Sequence, residues 1–253
     1  MLDSGYLGQL ITGIFYLVVG TALLRLSRRS GERPEFHLGF YFLLTGVDYF
    51  TYSVAAVFKL DSIMVQCAFI ARVAYAIAVI HLVIFIRGVF RPREAWATWL
   101  AVVFSLGLSV PIAALAVLGD WTDVQLDNPW YWPNFLGYLG ALSWLTFEAL
   151  HAHSGARKRL RIGLCSRTVV NRYLLWACFG AFQVLACGAI IVMALDMDFR
   201  GDNTVSGWSD SLLSATELAS IAMLWLAFFP PAAYLRWIAG SGSSAISQTR
   251  DTA

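Results

Sequence analysis

An arginine stands well inside an apolar stretch of this chain that is long enough to cross a bilayer. Residues 62–86 read SIMVQCAFIARVAYAIAVIHLVIFI, with Arg72 ten residues beyond the start. A hydrocarbon core is about 30 Å thick, and a charged residue at its centre costs at least ~2.5–3.5 kcal/mol. Such a side chain turns toward a bundle interior and takes a partner there. That constraint calls for several helices packed around polar groups.

Composition agrees. The 253 residues are 58% hydrophobic and only 13% charged, too apolar for an ordinary soluble domain. The net charge of +2 conceals a segregation of charge by segment, and no basic patch of the kind that binds nucleic acid is present. The first residues, MLDSGYLGQ, lack the basic start of a signal peptide, so the first apolar run reads as a retained span. Cys67, Cys165, Cys178 and Cys187 form no C-x-x-C pair and read as small packing residues.

Apolar runs at 6–26, 38–58, 62–86, 95–118, 133–150, 173–195 and 212–234 predict an all-α integral membrane protein, a bundle of seven transmembrane helices. The bundle occupies 1–239, and 240–253, GSGSSAISQTRDTA, reads as a disordered cytoplasmic tail. Fifteen of the eighteen Lys and Arg residues follow spans one, three, five and seven. Acidic residues dominate the other side, so the positive-inside rule places the N-terminus outside and the C-terminus in the cytoplasm. The segment from Gly119 to Asn134, with Trp121, Trp130, Tyr131 and Trp132, reads as an interfacial anchor, or as a lid over an outward-facing pocket. Asp196, Asp198 and Asp202 lack the regular spacing of a calcium loop and read as a solvated acidic loop.

Depth along the helices suggests which polar groups meet. Arg72 and Asp48 each lie ten residues into their spans, at about 15 Å depth for a 1.5 Å rise per residue. Tyr41, Thr45, Asp48 and Tyr52 form a polar stripe on span two, and Ser214, Glu217 and Ser220 form another on span seven. The candidate ligand or proton site is therefore Asp48, Arg72 and Glu217, ringed by Tyr52, Tyr75 and Gln183. Two acids against one base predict that one acid holds a proton or that a cation fills the site. A buried ion pair that fixes helix register is the competing expectation.

A second grouping lies nearer the basic side. Glu148 and His151 share a helix face in an E-x-x-H spacing, with His81 and His37 at similar depth, and this is the one grouping with metal-ligand character. It makes a metal or a haem the cofactor to test for; otherwise no cofactor is expected. Pro111, Pro230 and Pro231 are expected to kink or end their helices. The basic stretch from Ser154 to Arg172 holds Arg157, Lys158, Arg159 and Arg161, which suit anionic lipid headgroups or a cytoplasmic signalling partner.

Seven spans with an outside N-terminus resemble the layout of heptahelical receptors and microbial rhodopsins. The resemblance is one of topology. The two lysines, Lys59 and Lys158, lie in loops, which excludes a retinal Schiff base; span three ends HLVIFIRG without an acidic-Arg-Tyr motif. Three functions follow as expectations. First is a receptor-like or sensory protein of a bacterial-type inner membrane, binding a small ligand at the polar midplane and signalling through its basic loop. Second is a proton-coupled transporter of a small solute, and third a metal- or haem-dependent membrane protein. The chain shows no nucleotide-binding loop and no nucleophile beside a base, so catalysis is not expected; homo-oligomerisation stays open.

Overall fold

The computed structural model describes residues 4–58, 60–118, 129–200 and 207–240; the side chains of 4–7, 197–200, 207–210, 239–240, Tyr52, Ala56 and Asp61 fall outside the description. The tail beyond Gly240, the aromatic and acidic stretch 119–128 with Trp121, and Asp198 and Asp202 likewise lie outside the described residues or side chains. The described residues are almost wholly helical, without a strand.

Seven long helices run in order: α1 (Ser4–Ser30), α2 (Arg33–Val57), α3 (Met64–Phe90), α4 (Ala95–Leu118), α5 (Tyr131–Arg161), α6 (Arg167–Arg200) and α7 (Gly207–Phe228). A short α8 (Ala232–Gly240) follows, and a single 3₁₀ turn, Asp61–Ile63, leads into α3. Each long helix packs on the next, α4 on α5 included; α7 returns to α1, which closes a ring, and α3 also contacts α5. Five of these helices, α1, α3, α4, α6 and α7, are long and apolar enough to cross a membrane. α2 is as long and holds Arg33, Glu35, His37 and Asp48, and α5 holds Glu148, His151, His153 and a basic last turn.

Helix ends follow local chemistry. α5 continues eleven residues past 150, so most of the basic stretch expected as a loop is helix. The single Gly155 is followed by Ala156, Arg157, Lys158, Arg159, Leu160 and Arg161, all good helix formers, and the next glycine is Gly163. There the chain adopts φ +75°, and the amides of Gly163 and Leu164 donate to the carbonyls of Leu160 and Arg159 at 3.1 and 2.9 Å. This pair of bonds is a Schellman cap, which needs a left-handed residue and so favours glycine. α7 ends at Phe228 just before Pro230 and Pro231. Pro111, in contrast, sits inside a continuous α4, and the Asn134 side-chain amide donates to the Leu108 carbonyl at 3.3 Å, beside the gap in the hydrogen-bond ladder that proline opens.

The closest helix contact is α1 against α2. Gly13 and Gly20 on α1, and Gly39 and Gly46 on α2, recur at seven-residue spacing on facing surfaces. A Cβ on Gly20 would lie 2.5 Å from the Leu43 backbone nitrogen, and one on Gly46 would lie 2.8 Å from the Leu17 nitrogen. Small residues that let backbones approach this closely gain dispersion contacts in a setting where lipid removes the hydrophobic drive between helices. The buried layer beside them includes Tyr16, Leu23, Tyr41, Phe42, Leu82 and Phe179. Gly20→Ala is therefore expected to lower the melting temperature in detergent by several degrees, from a cost of about 1–3 kcal/mol for overpacking. Gly88→Ala, where no atom lies within 4 Å of the added carbon, is expected to leave it unchanged or raise it slightly.

Candidate functional site

Two polar sites occupy the interior of the ring, joined by one face of α6. The first is a cavity of about 180 Å³ lined by Asp48 of α2, Arg72 and Tyr75 of α3, Tyr131, Asn134, Phe135 and Tyr138 of α5, and Cys187 and Ile190 of α6. At about 30 Å³ per water it has room for roughly six. Asp48 and Arg72 both face it and lie close enough to feel each other's charge, yet no ion pair joins them. Tyr75 and Tyr138 pack ring to ring at 4.7 Å on one wall, and Tyr131 stacks on Phe135 at 5.7 Å on another. One carboxylate, one guanidinium, an amide and three phenols thus surround a space that a small polar solute can fill.

The second site is a buried hydrogen-bond network across α1, α6 and α7. Glu217 is 6% exposed and Gln183 4%. The Gln183 amide nitrogen lies 3.0 Å from Glu217 Oε2, 3.1 Å from the Tyr16 hydroxyl and 2.8 Å from Ser220 Oγ, so its two protons serve three acceptors. Tyr16 donates to Glu217 Oε2 at 3.3 Å, and Ser220 donates to the Glu217 carbonyl at 2.8 Å. Tyr49 stacks on Tyr16 at 5.7 Å and closes the network toward α2. Every partner of the Glu217 side chain here is neutral.

The residues expected at one midplane site are thus divided. Asp48, Arg72 and Tyr75 line the cavity, whereas Glu217 and Gln183 belong to the network; the Tyr52 side chain lies outside the description. Gln183 and Cys187 stand one turn apart on α6, which puts the two sites back to back. Tyr16, Asn134 and Tyr138 were not singled out from sequence. Tyr16 has Thr12 one turn before it as its main polar neighbour in an apolar run, a weak signal; Asn134 and Tyr138, at i and i+4 of an aromatic-rich first turn, are a clearer one.

The E-x-x-H group is arranged differently from the expected ligand set. Glu148, 1% exposed, accepts from Arg91 Nε at 2.9 and 3.0 Å and from the Trp144 indole at 3.2 Å. Arg91 also lies over the Trp96 ring, 5.6 Å from its centre. The hydrogen bonds that Arg91 donates to Glu148 raise the Arg91 pKa above its ordinary value, and the guanidinium stays charged throughout the physiological range. His151 faces outward, and His81 instead meets His37, their Nδ1 atoms 3.1 Å apart. His153 Nδ1 donates to the Val170 carbonyl at 3.0 Å. Among the described residues no group of three or more His, Cys, Asp or Glu side chains converges on one point. Glu148 and His151 share a helix, but Arg91 arrives from the end of α3 and takes the carboxylate first.

Arg91–Glu148 is the ion pair formed among the described residues, and it clasps α3 to α5. Arg91→Gln leaves Glu148 buried with one indole donor. A fully buried pair broken on one side loses ~3–5 kcal/mol; with Arg91 a quarter exposed, about 2 kcal/mol is expected, seen as a fall in melting temperature that adding Glu148→Gln largely reverses.

The chain matches no protein-family model, and neither a characterised protein nor a solved structure matches it.

Proposed function

We propose that this chain is a receptor-like or sensory membrane protein that binds a small polar ligand in the cavity between Asp48 and Arg72. In this reading all seven long helices cross a bacterial-type inner membrane, with the N-terminus outside and the C-terminus in the cytoplasm. The exposed Arg157, Lys158, Arg159 and Arg161 at the end of α5 then face anionic headgroups or a signalling partner. One observation carries the proposal: a carboxyl group and a guanidinium line the same cavity with no ion pair between them. A charge inside an apolar bundle costs several kcal/mol unless it is paired, and a solute bearing both a cationic and an anionic or acceptor group completes both pairs at once. Four cavity-bearing helices, α2, α3, α5 and α6, are then bridged by one molecule, so occupancy can bias how they pack.

The test is a thermal-shift screen in detergent with small zwitterionic and neutral polar solutes at millimolar concentration. A true ligand at a hundred times its Kd stabilises by about 2.7 kcal/mol, several degrees in a protein of this size. That shift is expected to vanish in both Asp48→Asn and Arg72→Gln. If no solute stabilises the parent, or if the variants respond equally, the cavity is not a ligand site.

The network at Glu217 favours a second reading, a proton-coupled transporter. A buried carboxyl group surrounded by neutral donors is a group that can carry a proton without breaking an ion pair. In proteoliposomes a transported solute would then move protons with it, and Glu217→Gln, which keeps an acceptor oxygen for Gln183 and Tyr16, would fold normally yet abolish the proton movement. Solute uptake that is unchanged in Glu217→Gln removes this reading.

A further inference from the structure

A larger cavity, about 430 Å³, lies at the other end of the ring, where α2 begins and α3 and α7 end. It is separate from the Asp48 cavity and shares no lining residue with it. Its wall is aromatic: Trp176 of α6 packs against Phe85 at 5.0 Å and Phe228 at 5.6 Å, and Phe90 completes the cluster at 6.4 Å from both Trp176 and Tyr173. Two charged residues touch the space, Glu35 and Arg172. Glu35 is engaged by the Ser30 hydroxyl. Arg172 is exposed, and no hydrogen bond or ion pair among the described residues occupies it.

We propose that this cavity binds an anionic amphiphile, with one acyl chain against the aromatic wall and its acid group on Arg172. The volume falls in the range of pockets that enclose small ligands, and the lining is the largely apolar surface with a few polar groups that such pockets present, here Glu35, already engaged by Ser30, and Arg172. Arg33 and Arg167 stand at the starts of α2 and α6, at the same end, and add to a field that favours an anionic head over a neutral or zwitterionic one. A guanidinium suits a carboxylate or phosphate equally, since both accept two parallel N–H bonds. The chemistry is therefore shared by a membrane phospholipid and a free fatty acid.

Brominated-chain lipids distinguish these sources and test the site, because bromine quenches tryptophan emission only at close range. The full-length protein in detergent is titrated with brominated phosphatidylglycerol, brominated phosphatidylcholine and brominated stearate. Saturable quenching by an anionic lipid, at concentrations where phosphatidylcholine gives none, is expected, and it should disappear in Trp176→Phe. Val89→Phe, which fills the cavity from an exposed position without adding an emitter, should prevent quenching of Trp176 while leaving the melting temperature intact. Arg172→Gln should weaken the anionic lipid about tenfold, the effect of losing one charge-assisted contact. Saturation by phosphatidylglycerol alone supports a bilayer lipid, and saturation by stearate alone supports a soluble fatty acid. Equal quenching by all three lipids, or quenching insensitive to Val89→Phe and Arg172→Gln, overturns the proposal.

Discussion

Polar groups inside an apolar ring of helices have only one another to satisfy, and this requirement organises the interior. Glu217 and Gln183 are nearly inaccessible, so each needs partners from a neighbouring helix, and Tyr16 and Ser220 supply them. Leaving a buried acceptor or donor unpaired costs about 1–3 kcal/mol, more than any single helix contact there returns. The network consequently ties α1, the first helix, to α6 and α7, the last two, and reinforces the contact that closes the ring. With the ring closed, α2, α3, α5 and α6 surround the Asp48 cavity.

The close approach of α1 and α2 serves the same end by a different route. Backbones brought together at Gly13, Gly20, Gly39 and Gly46 leave no room for side chains between them, so α2 turns Tyr41, Thr45 and Asp48 away from α1 or along its edge. Tyr16 meets Phe42 and Tyr49 in stacked geometry at 5.8 and 5.7 Å, which sets the rotation of α2. Asp48, one residue before Tyr49, is thereby directed to the cavity rather than to the Glu217 network. A rigid α1–α2 pair on one side and the Arg91–Glu148 clasp between α3 and α5 on the other leave the cavity walls anchored at different heights. An occupant touching both sides has a physical means of shifting one pair against the other.

The two ends of the ring differ in chemistry. The end where α1, α3 and α5 finish collects the arginines and the wide aromatic cavity, whereas the interior toward the opposite end holds the small cavity with its opposed charges. Arginine at the first end has two distinct settings. Arg91 is committed to Glu148 and Trp96, and its role is to hold helices together; Arg172 stands over apolar surface with its charge available. Residue type alone does not separate these settings; the neighbouring helix does.

Composition and periodicity by themselves determined that the chain is helical with several helices apolar enough to cross a membrane, that Asp48, Arg72 and Glu217 stand well inside their helices, and that basic residues collect on alternate segments. These properties are local: hydropathy is summed along the chain, and depth grows by 1.5 Å with each residue. Gly13, Gly20, Gly39 and Gly46 also stand at seven-residue spacing in the sequence, but only packing puts the two pairs face to face. Only the tertiary structure decided which groups meet. Rotation about a helix axis advances 100° per residue and is set by packing against neighbours, so equal depth puts Asp48 and Arg72 on one cavity without making them a pair, and sends Glu217 to Gln183 and Tyr16 instead. Likewise Glu148 and His151 share a helix face in sequence, but the end of α3 brings Arg91 onto the carboxylate, and that neighbour lies 57 residues away along the chain.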